Sequence, residues 1–381
     1  IPAGDRIQRK AADGNDVLFF LRKVVESLRY KEENISIALQ ESKFTDRLNT
    51  SEPSENLYTE LKQRVRAAGC LEPQPLYYAI LIPVTMILLC SGWVAMAVVD
   101  HFWFRLAGAV FLAFISVQVG YLGHDAGHQQ IFSRSWLNDL LGLVNGFSIG
   151  TSYSWWVDTH NRHHGRPNQI SYDPAIEYSV LAFSKEEAAG KKGLLRLIVK
   201  LQAFLFFPLL MLYPISMRID SFRYILRSRY RYRAVEAISL ISYFPIYFLF
   251  LYLSMGLWQA IVFAVIHQSI LGLYLSFVFV PNHMGMPVLD ENAEPDFVRH
   301  QVLTARNIKG TWIVDYLFGG LNYQIEHHLF PRMPRNRLRH ASRIVQAFLK
   351  EKSIQYCETG IFQSYRAILS YLHEIGKSLN H

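Results

Sequence analysis

The sequence predicts an all-α integral membrane protein: four transmembrane helices in two hairpins, with a cytoplasmic helical cap carrying a histidine-rich site for two metals. Three observations predict it. Of 381 residues, 51% are hydrophobic and 18% charged, whereas soluble domains carry about a quarter charged residues. The shortfall is concentrated in three runs free of Asp, Glu, Lys and Arg, at 76–99, 106–123 and 237–281. Eight of the 14 histidines fall in four short stretches, two after the second run and two after the third.

Residues 1–75 are expected to form an N-terminal cytoplasmic helical segment. They mix both charge signs and hold no apolar run long enough for a signal peptide. Chain start at Ile1 rather than Met points to trimming, which leaves an upstream domain open. "ENLYTELKQRVRAAG" spaces Leu57, Leu61 and Val65 by four residues, the signature of an amphipathic helix ending near Gly69.

Residues 76–381 are expected to form the membrane domain. The run 76–99 makes about 36 Å of helix, enough for a hydrocarbon core of roughly 30 Å. The short link "DHFWFR" turns it into a hairpin with 106–123. The run 237–281 has 45 residues, too many for one crossing, so it should fold back at "SMGLW" around Gly256. That gives spans at 237–255 and 257–281.

Segments 140–157 and 201–217 are also uncharged and near the minimum spanning length. The first holds Asn145, three glycines and the aromatics Tyr153, Trp155 and Trp156; the second holds Pro208 and Pro214. Segments so interrupted are assigned to the interface, with Trp155 and Trp156 as interface anchors. If neither crosses, the cap is 124–236 plus 282–381, and all histidine stretches share one side. Arg218, Arg223, Arg227, Arg229, Arg231 and Arg233 precede the third span, and Arg332, Arg335, Arg337 and Arg339 follow the fourth. The opposite loops hold only Arg105, so the positive-inside rule puts the termini and the histidines in the cytoplasm.

Cys70, Cys90 and Cys357 form no CxxC pair, which excludes an iron–sulfur or zinc-ribbon signature and a disulfide framework. The net charge of +8 is read as contact with anionic lipid headgroups. No basic face on a soluble module points to nucleic acid.

The histidine stretches are His124 and His128 in "HDAGH", His160, His163 and His164 in "HNRHH", His283 in "PNHMG", and His327 and His328 in "QIEHH". The second has the spacing i, i+3, i+4, and the last repeats it with Gln324 in the first place. On a helix these positions share one face. A lone histidine pair on a helix is ordinary, but eight imidazoles gathered this way exceed the four ligands of one zinc. They fit two metals with four or five ligands each, and imidazole suits iron, copper, zinc and nickel. Such a site at a membrane surface fits oxidative chemistry on a lipid, because an unactivated C–H bond offers no acidic proton to ordinary acid–base groups.

Asp125, Asp158 and Glu326 adjoin these histidines and are candidates to orient imidazoles, or else solvated acids. His267 falls mid-span and is expected to be a hydrogen-bonded packing residue. His101, His300, His340, His373 and His381 belong to no cluster and are assigned to the surface.

The three boxes and their spacing around four spans resemble the membrane fatty acid desaturases. "GGLNYQIEHHLFPRMPR" is most similar to the front-end (delta-6-like) branch, whose third box has Gln in place of the first His. The likeness runs from about residue 55 to the C-terminus. It implies a di-iron centre, O2 as co-substrate and two electrons per double bond. It also implies that His124, His128, His160, His163, His164, His327 and His328 are the catalytic metal ligands, with His283 matching a further family histidine. Gln324 is expected at the site as a weak ligand or beside one. Absence of an HPGG haem motif makes the chain look more like unfused bacterial members. The implied location is a bacterial inner membrane, or the ER membrane in a eukaryote.

The substrate implied is a fatty acyl-CoA or acyl-lipid. With no G-x-G-x-x-G fingerprint and no cysteine cluster, electrons should come from a separate ferredoxin or cytochrome b5. The arginine rows are open to two readings, docking such an acidic carrier or binding lipid headgroups. A di-iron hydroxylase or ketolase is the nearest rival function. A membrane zinc transporter is the rival of another class; it would need polar ligands near the bilayer midplane.

Overall fold

The structure, a computed structural model, describes residues 54–177 and 180–379. The earlier part of the N-terminal segment, and His381, lie outside the described residues. The described residues are mostly helical. The only ladder among the described residues pairs β1 (Asn307–Ile308) in parallel with β2 (Glu358–Thr359).

Among the described residues, three helices are long and apolar enough to cross a membrane: α2 (Pro75–Val98), α3 (Phe102–Gly127) and α10 (Arg233–His283). The first and last expose apolar side chains such as Ile87, Val94, Leu249 and Leu253, and α3 is the most buried of the three. Outward apolar faces of this kind match a hydrocarbon solvent.

Helix α10 is two helices. Gly256 has φ 71° and ψ 168°, a region open to glycine almost alone. The Tyr247 hydroxyl lies 3.0 Å from His267 Nδ1. Twenty residues of straight helix would separate them by about 30 Å, so the chain doubles back between them. This is the turn expected at "SMGLW". Arg105, buried, joins it to the α2–α3 link: its guanidinium donates to Asp100 (2.7 Å), Gln259 (2.8 Å) and the Ser254 carbonyl (2.8 Å). Both turns therefore sit at one end of the apolar bundle. His267 is the packing residue expected, bonded to Tyr247 and Gln268.

The two ambiguous segments are each divided between helices. The first is split between α4 (Ser135–Ile149) and α5 (Tyr153–Gly165) by Gly150. Its φ is 73°, and a Cβ there would come within 2.5 Å of the Tyr243 ring. After α6 (Lys185–Gly190), α7 (Gly193–Lys200) and α8 (Gln202–Leu210) meet at a 100° bend, and α9 (Tyr213–Arg227) follows.

The cap is completed by α11 (Phe297–Leu303), α12 (Trp312–Leu317), α13 (Gln324–Leu329), α14 (Arg335–Glu351) and α15 (Ile361–Ser378). The expected amphipathic helix is α1 (Ser54–Ala67). Its Leu57, Leu61 and Val65 are buried against Val298 and Val302 of α11 and Val345 and Phe348 of α14. That core underlies α13 and fixes the floor of the histidine site.

Candidate metal centre

The four histidine stretches converge. His124 is in the last turn of α3 and His128 is its C-cap residue; His160, His163 and His164 are on α5; His283 ends α10; His327 and His328 are on α13. Two groups form. Ligand atoms of His124, His128, His160 and His327 lie within 4.8 Å of one another, and so do those of His163, His283 and His328. His164 bridges them: its ring stacks on His328 at 4.1 Å, and its Nε2 lies 3.1 Å from His160 Nε2.

Helical spacing explains the division. On α5, His160 and His164 lie one turn apart on one face, their rings meeting edge-on at 4.6 Å, while His163 is rotated toward the second group. On α13 the adjacent His327 and His328 point to different groups, with ring centroids 5.8 Å apart and planes at 88°.

Each group is held from behind. Asp173 accepts from His163 Nδ1 (2.9 Å) and from the backbone N–H groups of Asn168 (2.7 Å) and Ala175 (2.8 Å). Burial pushes its carboxyl up, but the His163 imidazole and these hydrogen bonds outweigh it and hold the carboxyl below its ordinary range. The Thr304 carbonyl accepts from His283 Nδ1 at 3.0 Å, and Gln301 Oε1 from His328 Nδ1 at 2.8 Å. Asp125 lies 3.4 Å from His124 Nδ1 and is ion-paired with buried Arg335. Such partners fix which imidazole nitrogen faces a metal.

The residues fit a metal pair. His124 Nε2, His128 Nε2, His164 Nδ1 and both nitrogens of His327 are buried with no hydrogen-bond partner. Native proteins rarely leave buried polar atoms this way without a ligand. Burial, then the neighbouring imidazoles, push His128, His160, His164, His327 and His328 well below the ordinary histidine pKa. They stay neutral with lone pairs free to coordinate.

Gln324 is buried beside the second group, its Nε2 3.0 Å from His283 Nε2. Its orientation follows from Asn282, whose amide N–H2 faces the carbonyls of Val278 (3.2 Å) and Leu321 (3.1 Å) and Gln324 Oε1 (3.0 Å). The glutamine oxygen therefore points away from the site and its N–H2 points in.

Several sequence expectations are corrected. Trp156 is no interface anchor: it stacks on His160 at 4.3 Å and meets His124 edge-on at 5.3 Å. Trp155 packs against the core around Tyr121 and Leu275. His300 is buried, its Nε2 2.9 Å from the Pro167 carbonyl. Of the two readings open for Asp158, the solvated acid holds: it is exposed, 3.7 Å from Arg162. Glu326 binds Asn307 (2.6 Å) and the Tyr356 hydroxyl (3.0 Å), anchoring α13 instead of touching a ring; burial pushes its carboxyl up to about 7. Asp173, Gln301, Thr304 and Asn282 were missed. Only Asn282 carries a signal, as the neighbour of His283.

The family model described as "Fatty acid desaturase" matches residues 100–360. An "Acyl-lipid (9-3)-desaturase" from Physcomitrium patens is 35% identical over 285 residues, 72% of this chain and 54% of that protein. A "Delta(8)-fatty-acid desaturase" from Euglena gracilis is 29% identical over 334 residues, 83% and 77% of the two chains. A Delta(6)-fatty-acid desaturase from Caenorhabditis elegans is 28% identical over 338 residues, 84% and 75%. The chain thus spans about half the length of the moss protein and about three quarters of the other two.

Proposed function

Since this chain belongs to the fatty acid desaturase family, we propose that it introduces a double bond into a fatty acyl chain, with front-end, delta-6-like placement. The observation that carries the reading is the paired histidine groups with their unpartnered buried nitrogens, set beside a largely apolar cavity that shares His124. The metals proposed are two irons, held by His124, His128, His160, His163, His164, His283, His327 and His328. When bound, they supply what side chains cannot: reduction of O2 with external electrons, coupled to removal of hydrogen from two adjacent unactivated carbons.

The chain's own residues do the rest. Asp173, Gln301 and the Thr304 carbonyl hold imidazoles in the tautomer and orientation that ligation needs. Gln324 acts from beside the metal, since its inward N–H2 can donate a hydrogen bond but offers no lone pair. Tyr121, Trp156, Leu275 and Phe279 wall the cavity, exclude water and align the acyl chain by shape.

The topology proposed is four crossings, made by α2, α3 and the two halves of α10, with the histidines cytoplasmic in a bacterial inner membrane or the ER. Residues 1–75 form its N-terminal cytoplasmic segment and 76–381 the desaturase domain. The substrate is an acyl-CoA or acyl-lipid. Electrons come from a separate ferredoxin or cytochrome b5.

The test is expression in a host lacking polyunsaturated fatty acids, fed acids of 16 to 20 carbons, with chromatography of its lipids. A new unsaturated acid is expected, absent with His163→Ala. An unchanged profile from folded, iron-loaded protein would refute the reading.

A further inference from the structure

Helix α9 and the first half of α10 form a helical hairpin closed by the turn at 228–232. A groove of about 570 Å³ lies between its arms, a size usual for small-ligand sites. Phe222, Ile225 and Leu226 of α9 and Ala234, Ala237 and Ile241 of α10 make it an apolar trough. Phe222 and Phe244, stacked at 6.1 Å, lie at the end away from the turn. Leu226, Ile238 and Ile241 are exposed, so the trough opens on the outer apolar face of α10.

The lip at the turn is different. Tyr230, Arg231 and Arg233 line it, with exposed Arg227 and Arg229 close by in the chain. Among the described residues none of these four arginines forms an ion pair, whereas Arg223, one turn earlier, has Asp220 at 3.0 Å. Glu236, the carboxylate nearest in sequence, is taken by Ser152, Ser154 and Tyr230.

One end of the groove thus suits an anion and the rest suits hydrocarbon. An acidic protein would satisfy the arginines and leave the trough empty. A second copy of this chain would bring its own arginines against them. A zwitterionic lipid carries a cation beside its phosphate. A phospholipid of net negative charge matches both ends, with its phosphate on Arg231 and Arg233 and one acyl chain along Ala237 and Ile241. In the proposed topology the turn also lies at the cytoplasmic membrane surface, where such headgroups are concentrated.

Both walls of the groove reach the metal centre through Ser152, the N-cap residue of α5. Its backbone N–H donates to Ser221 Oγ of α9 at 3.0 Å, and its hydroxyl donates to Glu236 of α10. Tyr230, at the lip, donates to the same carboxylate at 3.0 Å. A lipid that spans the two arms fixes the spacing from which α5 starts, and α5 carries His160, His163 and His164.

We propose that the α9–α10 groove binds one anionic phospholipid, distinct from the substrate, and that this lipid braces α5 and with it the metal centre. The lipid site stands apart from the desaturase reading; the bracing rests on that reading for the identity of the metal.

The experiment places the iron-loaded full chain in nanodiscs of phosphatidylcholine, with or without phosphatidylglycerol, and counts retained lipid by native mass spectrometry. Wild type should retain phosphatidylglycerol over phosphatidylcholine by about 10-fold or more. The double variant Arg231→Gln, Arg233→Gln, changed only at exposed side chains, should lose that preference. Ala237→Trp fills the trough and should lose retained lipid of either kind, cooperative melting showing that it has folded. Iron loss from wild type to an added chelator should be about 3-fold slower or more when phosphatidylglycerol is present, with no such difference in the double variant. Equal retention of the two lipids by wild type, or an unchanged preference in the folded double variant, overturns the site. Preference without any change in iron loss overturns the bracing. Neither readout involves turnover, so protein that passes both and desaturates nothing refutes the desaturase reading alone.

Discussion

Gln324 shows what one side chain can decide. It occupies the position that His160 holds in the second box, yet Asn282 turns its oxygen away from the histidine groups. Gln324→Ala is expected to lower turnover about 10-fold or more while leaving most of the iron bound, since eight imidazoles remain. Turnover and metal analysis of the same preparation check this; wild-type turnover would make Gln324 a bystander. The histidines were legible because three of them fall at i, i+3 and i+4 and a helix turns that spacing into a face. Asp173 was not, because it reaches His163 through an irregular loop with no period to read. Trp156 misled, because an aromatic cluster ending an apolar run looks the same whether it faces lipid or packs on an imidazole.

Helices of 13 and six residues carry most of the site, and each is too short to hold its shape alone. Helix α5 is tied at its start by buried Glu236 of α10. Its carboxylate accepts from the Ser152 and Ser154 hydroxyls, the Ser154 N–H (2.9 Å) and the Tyr230 hydroxyl (3.0 Å). Glu236→Ala strands several donors at once and is expected to cost about 3 kcal/mol. Thermal unfolding would show it, with a drop in bound iron as α5 loosens; an unchanged melting temperature would mean water replaces the carboxylate. No sequence signal paired Glu236 with Ser152, 84 positions apart. The turn at Gly256 was legible for a cruder reason: 45 uncharged residues cannot be one crossing.

For the whole molecule, the proposed crossings make a definite topology. Tags placed in the 184–192 loop and after the last residue should both be reached from the cytoplasmic side. Helix α6, within that loop, packs with α7 and α15, so the two sites belong to one face of the protein. Labelling from opposite sides would mean that a further segment crosses, the bent α7–α8 pair being the one to examine. Hydropathy supplied the apolar runs, but how the cap folds over them depends on contacts hundreds of residues apart, such as Arg64 with Glu351.

The division of α5 and α13 between the two histidine groups has a consequence for assembly. His160 and His163 leave one short helix for different histidine groups, and His327 and His328 leave another as sequence neighbours. Whatever seats one ion must order both helices, and the second ion then finds its ligands already in place. Filling should therefore be all-or-none. With iron supplied at half of saturation, native mass spectrometry is expected to show empty and doubly filled chains, with singly filled chains scarce. A dominant singly filled population would mean that the two halves of the centre assemble independently despite their shared helices.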